Sequence, residues 1–186
     1  MRLLKNRKIA ILITVVLVVF ATLFGVGRSL NRLTGDIEAM FYDGVPLDGE
    51  GFLQPGIDAH LNNRLNSALG FAVLMEGYPE ADSEAKALLS ARNELISAKT
   101  ISEKYKANEA LQQAYLTLQA KTETLELSNR DKDDVAKYSS SFSGAQTAIL
   151  NSSYNRKAES FMDGASFFAR ILKPFAFVTP PQAFTP

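Results

Sequence analysis

His60 is the only histidine in the 186-residue chain, so it is the first candidate for catalysis or metal binding. A metal site needs several converging ligands, and Asp58 is the only other candidate close to it in sequence. The chain has no HExxH motif, no Glu-x-x-His pair and no cysteine. We therefore expect a surface or interhelix position for His60. The sequence predicts no metal site, no cofactor and no catalytic residue.

Two clusters of carboxylates could hold divalent cations. Neither has the 12-residue loop with a turn glycine and a distal glutamate that an EF-hand uses. Each lies where a helix is predicted to begin, and carboxylates there oppose the positive end of the helix dipole. We interpret both as helix-start signals. The first cluster is Glu80, Asp82 and Glu84, and the second is Asp131, Asp133 and Asp134.

Neither the glycine-rich nor the serine-rich segment carries a recognisable chemical motif. Asp43 to Gly56 contains no GxGxxG and no GxxxxGK[ST], and no strand is predicted before it. Ser139-Ser140-Ser141 has no histidine or lysine at the spacing of a nucleophile motif. We therefore predict that the protein is not an enzyme.

The aromatic C-terminal region is the one segment whose composition suggests a function. Its phenylalanines either close the open end of the helical body or form an exposed patch that meets lipid or a partner. Arg170 and Lys173 lie between them and would suit lipid headgroups. The residues of this candidate interaction patch are Phe167, Phe168, Phe175, Phe177 and Phe184.

An apolar run near the N-terminus predicts that the protein is located at a membrane. Ile9 to Val26 is uncharged, and about 20 apolar residues span a bilayer as a helix. Basic residues precede the run, as in a retained anchor and in a cleaved signal peptide alike. The run exceeds a signal peptide's usual apolar stretch, and Gly25-Val26-Gly27 is a poor cleavage site, which favours the anchor. Four basic residues precede the run and two follow it, which predicts a cytoplasmic N-terminus and an extracytoplasmic body at the cell membrane. The alternative is the reversed topology, with the body in the cytoplasm.

Charge argues against nucleic acid as a partner. The chain beyond residue 26 has 16 basic and 20 acidic residues, a net charge of −4. Binding to nucleic acid depends on Lys and Arg against phosphate. The partners that remain are the lipid bilayer, through the N-terminal helix, and another membrane protein or a second copy of the chain.

The chain after the Gly/Pro segment is predicted to be helical. Apolar stripes with helical spacing begin at Ile57, Leu111 and Val135, and Thr100-x-x-Glu103 predicts a helix start with a capping box. Pro79 either starts a new helix or kinks a continuous one. Strand signals are weak, and helices of about 25–40 residues are expected. The fold class is all-α, an antiparallel bundle of three to four long helices behind an N-terminal transmembrane helix.

The pattern divides the chain into five segments. A Gly/Pro segment, Asp43 to Gly56, is either a linker or an ordered loop, and as a linker it would uncouple the anchor from the body. The predicted segments are the basic cytoplasmic N-terminus (1–8), the transmembrane anchor (9–27), the juxtamembrane segment and linker (28–56), the helical bundle (57–164) and the C-terminal tail (165–186).

Short motifs in Ile57 to Ala98, at Tyr154-Asn155 and in Phe167 to Phe184 resemble the LemA family of membrane-anchored helical proteins. Ile57 to Ala98 is similar to the family's long first helix, and Tyr154-Asn155 is similar to the Tyr-Asn step of its last long helix. The aromatic ending, Phe167 to Phe184, is also similar. The chain departs from the family at the Gly/Pro segment, at Ser67-Ala68 in place of a polar pair, and at Phe161-Met162 in place of a second Tyr-Asn.

The resemblance implies long antiparallel helices on one anchor and implies no activity. We therefore expect a non-enzymatic scaffold or interaction module at the membrane. The alternative is an extracytoplasmic four-helix sensor, which would present a buried polar pocket with Arg64, Arg92 or His60 facing into it.

Overall fold

The computed structural model describes residues 7–46, 51–164 and 180–184, and within them the chain is mostly helical. The helices are α1 (Arg7–Asp43), α2 (Ile57–Met75), α3 (Asp82–Ser97), α4 (Ile101–Thr122), α5 (Asn129–Leu150) and α6 (Ser153–Gly164). Two strands of two residues each, β1 (Val45–Pro46) and β2 (Leu53–Gln54), pair antiparallel. Four residues of the predicted patch, Phe167, Phe168, Phe175 and Phe177, lie outside the described residues.

The chain forms two compact units. The first contains residues up to Glu38 and from Lys157 to Pro181, and the second contains Ala39 to Arg156 with Gln182 to Pro186. The start of the juxtamembrane segment is helical, since α1 continues through Gly35 to Asp43.

Helices α2 to α5 pack on one another in the second unit. α2 contacts α3 and α5, and α3 contacts α4. Helices α2 and α5 run in opposite directions, because Tyr78, just after α2, bonds Asp131 at the start of α5, while Ser67 within α2 bonds Ser141 further along α5. The predicted stripe on α2 is buried, and the core also includes Leu88, Leu111, Leu118 and Ile149.

The expected helix lengths are wrong for this unit, where α2 to α5 span 16 to 22 residues. Pro79 begins a separate 3₁₀ turn (Pro79–Ala81), and Arg92 of α3 donates a 3.0 Å hydrogen bond to the Leu65 carbonyl, so the chain folds back. The last stripe breaks at Ser152, whose Oγ accepts from the Tyr154 N–H at 3.2 Å. A serine hydroxyl that bonds nearby backbone competes with the helix.

The predicted starts of α4 and α5 are confirmed. Thr100 and Glu103 form the capping box of α4, and Ser128 accepts from the Asp131 N–H at the start of α5. These caps satisfy backbone donors that a helix leaves unpaired in its first turn.

Where the Gly/Pro segment is described, it forms the β1–β2 pair and belongs to the second unit. Val45 pairs with Gln54 and is 1% exposed, although no strand was expected here. A side chain at Gly56 would lie 2.4 Å from the Phe41 carbonyl oxygen, so glycine lets the start of α2 meet the last turn of α1. The segment therefore fixes that last turn within the second unit.

Candidate functional site

The first half of α1 presents apolar side chains to its surroundings. Within the described residues, it is the one helix long and apolar enough to cross a membrane, and none of its 18-residue apolar window is buried. Phe20 is 69% exposed and Phe24 is 70% exposed. A contiguous apolar surface of this extent is costly in water and favourable in lipid.

Both polar side chains in the apolar run have internal partners. The Thr14 hydroxyl donates to the Ala10 carbonyl at 3.0 Å, and the Thr22 hydroxyl donates to the Val18 carbonyl at 2.8 Å. A hydroxyl without a partner would be costly in hydrocarbon. The two threonines are therefore compatible with a lipid environment.

The second unit buries one arginine completely. Arg64 on α2 is 0% exposed, and it lies on the same face as the buried stripe, between Leu61 and Leu65. Its Nη1 donates to the side-chain oxygens of Asn108 and Gln146, the latter at 2.5 Å, and its Nη2 donates to Gln112. We call these four residues the arginine layer, and it joins α2, α4 and α5.

An aromatic stack lies against the arginine layer. The guanidinium carbon lies 4.0 Å from the centre of the Phe142 ring, within the range of a cation–π contact. Phe142 stacks on Tyr115 at 3.7 Å and 9°, and the Tyr115 hydroxyl lies 3.2 Å from Ser139 Oγ. Phe71 also contacts Tyr115, with 5.0 Å between the ring centres.

The arginine layer places a charge where water does not reach it. Burial lowers the pKa of Arg64 to about 10, while the negative charge of Glu109 acts in the opposite direction. Among the described residues, the hydrogen-bond partners of Arg64 are uncharged amides, which stabilise its charge only through their dipoles. The Arg64 Nε has no hydrogen-bond partner among them. Amide oxygens do not titrate, so the layer keeps its partners over a wide pH range.

Arg64 faces packed side chains, and two grooves in the second unit are lined by other residues. One, of about 400 Å³, lies between the end of α4 and the start of α5 and includes Leu125, Leu127 and Val135. The other, of about 210 Å³, lies between α2 and α5 and is lined by Asn63, Asn66, Ser67, Lys137, Tyr138 and Ser141.

Comparison with known proteins leaves these features unassigned. No family model matches the chain, and neither the curated proteins nor the solved structures include a match. What the chain can do is therefore argued from its own geometry.

The remaining sequence candidates are dispersed. His60 is half-buried, and desolvation lowers its pKa. Asp82 and Glu84 lie in the first turn of α3, where Asp82 pairs with Lys86 at 2.6 Å, and Asp131 lies in the first turn of α5. No group of three or more potential metal ligands converges among the described residues.

Phe184, the one described member of the predicted patch, is buried instead of exposed. It is 4% exposed and contacts Phe41 at 5.6 Å and Tyr105 at 5.3 Å between ring centres. The Asn155 side chain bonds both the N–H and the carbonyl of Phe184, at 2.9 Å and 3.0 Å. The Tyr154 hydroxyl donates to the Gln182 carbonyl at 2.5 Å. At this residue, the structure therefore shows docking.

Sequence reasoning missed the polar partners of Arg64. A signal was present, because Asn108 precedes Leu111 by three residues and so extends the apolar stripe of α4 toward its start. Polar residues on the buried faces of two helices indicate a buried hydrogen-bonded pair.

Proposed function

We propose that the protein is a non-enzymatic scaffold or interaction module held at the cell membrane by α1, with a cytoplasmic N-terminus and an extracytoplasmic body. The observation that carries the proposal is the wholly unburied apolar window of α1. Lipid is the environment in which such a surface is stable. The bilayer is then one partner, and another membrane protein or a second copy is the other.

The body of this module is an antiparallel helical bundle of the LemA type. The opposed directions of α2 and α5 and the side-chain role of Tyr154-Asn155 support this part of the proposal. The turn between α2 and α3 distinguishes the chain from the family's uninterrupted first helix, so the chain would be a divergent relative.

The buried charge supports a scaffold more than a binding pocket. The arginine layer uses both Nη atoms of Arg64 for contacts between helices. The bonds from Nη1 and Nη2 to α4 and α5 fix the register of helices that otherwise slide on apolar surfaces. Rigid, fixed helices are the property that a scaffold requires.

Cysteine labelling tests both the anchor and its orientation, because the chain has no cysteine of its own. Ser140→Cys places a thiol on an exposed position of α5, and Asn6→Cys places one before the anchor. A membrane-impermeant maleimide should label the first in intact cells and the second only after lysis. The opposite pattern would place the body in the cytoplasm, and equal labelling in soluble extract would refute the anchor.

The alternative is an extracytoplasmic ligand-binding sensor, and the groove between α2 and α5 would be its site, although none of Arg64, Arg92 and His60 lines it. Lys137 on its rim would suit an anionic ligand. A rise in unfolding temperature with small carboxylates, lost in Lys137→Ala, would support the sensor. No shift across such a panel would leave the scaffold as the better account.

A further inference from the structure

The last described residues of the chain lie among three helix ends of the second unit. We call Gln182 to Phe184 the C-terminal latch. The latch contacts the last turn of α1, the first two turns of α4 and the first turn of α6. The ends of a chain are usually poorly ordered unless specific contacts tie them down, so these contacts are what hold the latch in place.

The Phe184 ring joins the last turn of α1 to the start of α4. Its centre lies 5.6 Å from the centre of the Phe41 ring and 5.3 Å from that of the Tyr105 ring. Phe41 is 0% exposed and Phe184 is 4% exposed. Burial of a phenylalanine side chain favours the docked state by about 10- to 100-fold.

Hydrogen bonds hold the latch to α4 and α6. The Gln182 side-chain oxygen accepts from the Ser102 N–H at 3.1 Å, which satisfies a backbone donor in the first turn of α4. The Tyr154 hydroxyl donates to the Gln182 carbonyl at 2.5 Å. The Asn155 side chain bonds the N–H and the carbonyl of Phe184. These bonds include no residue of α1, so the Phe184 ring is the part of the latch that contacts it.

The arginine layer is held by a separate set of contacts. Its hydrogen bonds join α2, α4 and α5. The hydrogen bonds of the latch go to Ser102, Tyr154 and Asn155. Because the two sets share no residue, one can break while the other persists. Folded proteins commonly open in such local units while the core stays intact.

We propose that the C-terminal latch is a conformational switch. When it is closed, it locks the last turn of α1 to α4 and α6. When it opens, it frees that turn and uncovers Phe41, while the helical core of the second unit stays folded. What the switch does to the anchor rests on the membrane-held scaffold proposed above, whereas the switch itself lies within the second unit.

Hydrogen exchange of the full chain in detergent, with and without Phe184→Ala, tests the switch. The Gly44 N–H donates to the Met40 carbonyl at 3.1 Å and reports the last turn of α1, while the Leu118 N–H within α4 reports the core. Phe184→Ala should raise the exchange rate at Gly44 about tenfold or more, because it removes the ring whose burial keeps the latch closed. The rate at Leu118 should not change.

Two results would overturn the switch. An unchanged exchange rate at Gly44 would show that the latch does not hold the last turn of α1. An equal rise at Gly44 and Leu118 would show that Phe184 supports the whole fold, so that the latch does not open by itself.

A matched control and a second variant isolate the latch. Phe52→Ala removes a phenylalanine that is 67% exposed, so it should change neither rate, and a rise at Gly44 equal to that in Phe184→Ala would refute the switch. Asn155→Ala removes hydrogen bonds between α6 and the latch, and it should also raise the rate at Gly44. No rise there would contradict control through the latch.

The exchange measurement does not depend on how the chain is placed in a membrane. Maleimide labelling of Ser140→Cys and Asn6→Cys tests the anchored scaffold independently. A failure of the switch and a failure of the scaffold are therefore distinguishable.

Discussion

Replacing Arg64 by methionine tests whether the arginine layer holds the second unit together. The change keeps an unbranched side chain and removes the N–H donors by which Arg64 bridges α2 to α4 and α5. Asn108 is 1% exposed, so its oxygen cannot turn to water, whereas Gln112 and Gln146 are half-buried and can. The cost should therefore come mainly from Asn108.

The expected magnitude follows from that one orphaned amide. A buried polar group without a partner costs about 1–3 kcal/mol, and removing the buried charge recovers part of its desolvation cost. We expect Arg64→Met to lower the free energy of unfolding by about 2 kcal/mol. Asn108→Leu should cost about 2 kcal/mol, because it removes one hydrogen bond to a charged donor.

The double variant decides between this account and a purely steric one. With Arg64→Met and Asn108→Leu together, neither partner is left unpaired, so the loss should be about 1 kcal/mol instead of the additive 4. Urea unfolding of the full chain in detergent, followed by circular dichroism, measures these differences. Additive losses would show that the hydrogen bonds of the arginine layer contribute no coupling, and would refute the reasoning.

Three further predictions concern other contacts of the second unit. Gly70→Ala should lower stability by about 1 kcal/mol, because the new Cβ would lie 2.4 Å from the Tyr138 ring. In a Tyr138→Ala background the same change should raise stability, because alanine favours helix over glycine. Thermal unfolding of the unchanged chain, the two single variants and the double variant measures both effects. Thr100→Ala should cost about 1 kcal/mol by removing the cap of α4, while Thr100→Ser should cost little, and urea unfolding compares them. The hydrogen bond from Tyr78 holds the pKa of Asp131 below its usual 3.8. The ionised Asp131 therefore stabilises the fold above pH 3.8, and this stabilisation is lost as the pH falls through the lowered pKa of the folded state. A Tyr78→Phe chain that loses as much stability as the unchanged chain between pH 5 and pH 2 would contradict this.

The periodic signals in the sequence predict where helices lie and begin, although not their lengths. The stripe through Leu61, Leu65 and Ala68 is buried, and the capping box at Thr100 begins α4. These features depend on residues close in sequence, so local patterns are enough to find them.

Contacts between distant residues could not be predicted in the same way. The bond of Asn155 to Phe184 joins residues 29 apart, and the bond of Arg64 to Gln146 joins residues 82 apart. The β1–β2 pair was missed because each strand has only two residues, too short for an alternating pattern. The sequence left open whether Pro79 starts a new helix or kinks a continuous one, because only the packing of α3 on α2 decides between the two.

The intact mass of the protein recovered from carbonate-washed membranes tests the central claim most directly. A retained α1 predicts the full 20.4 kDa chain in the membrane pellet, because carbonate removes peripheral proteins and leaves spanning helices in place. A soluble product that begins near Gly27 would show a cleaved signal peptide and would contradict the anchored scaffold.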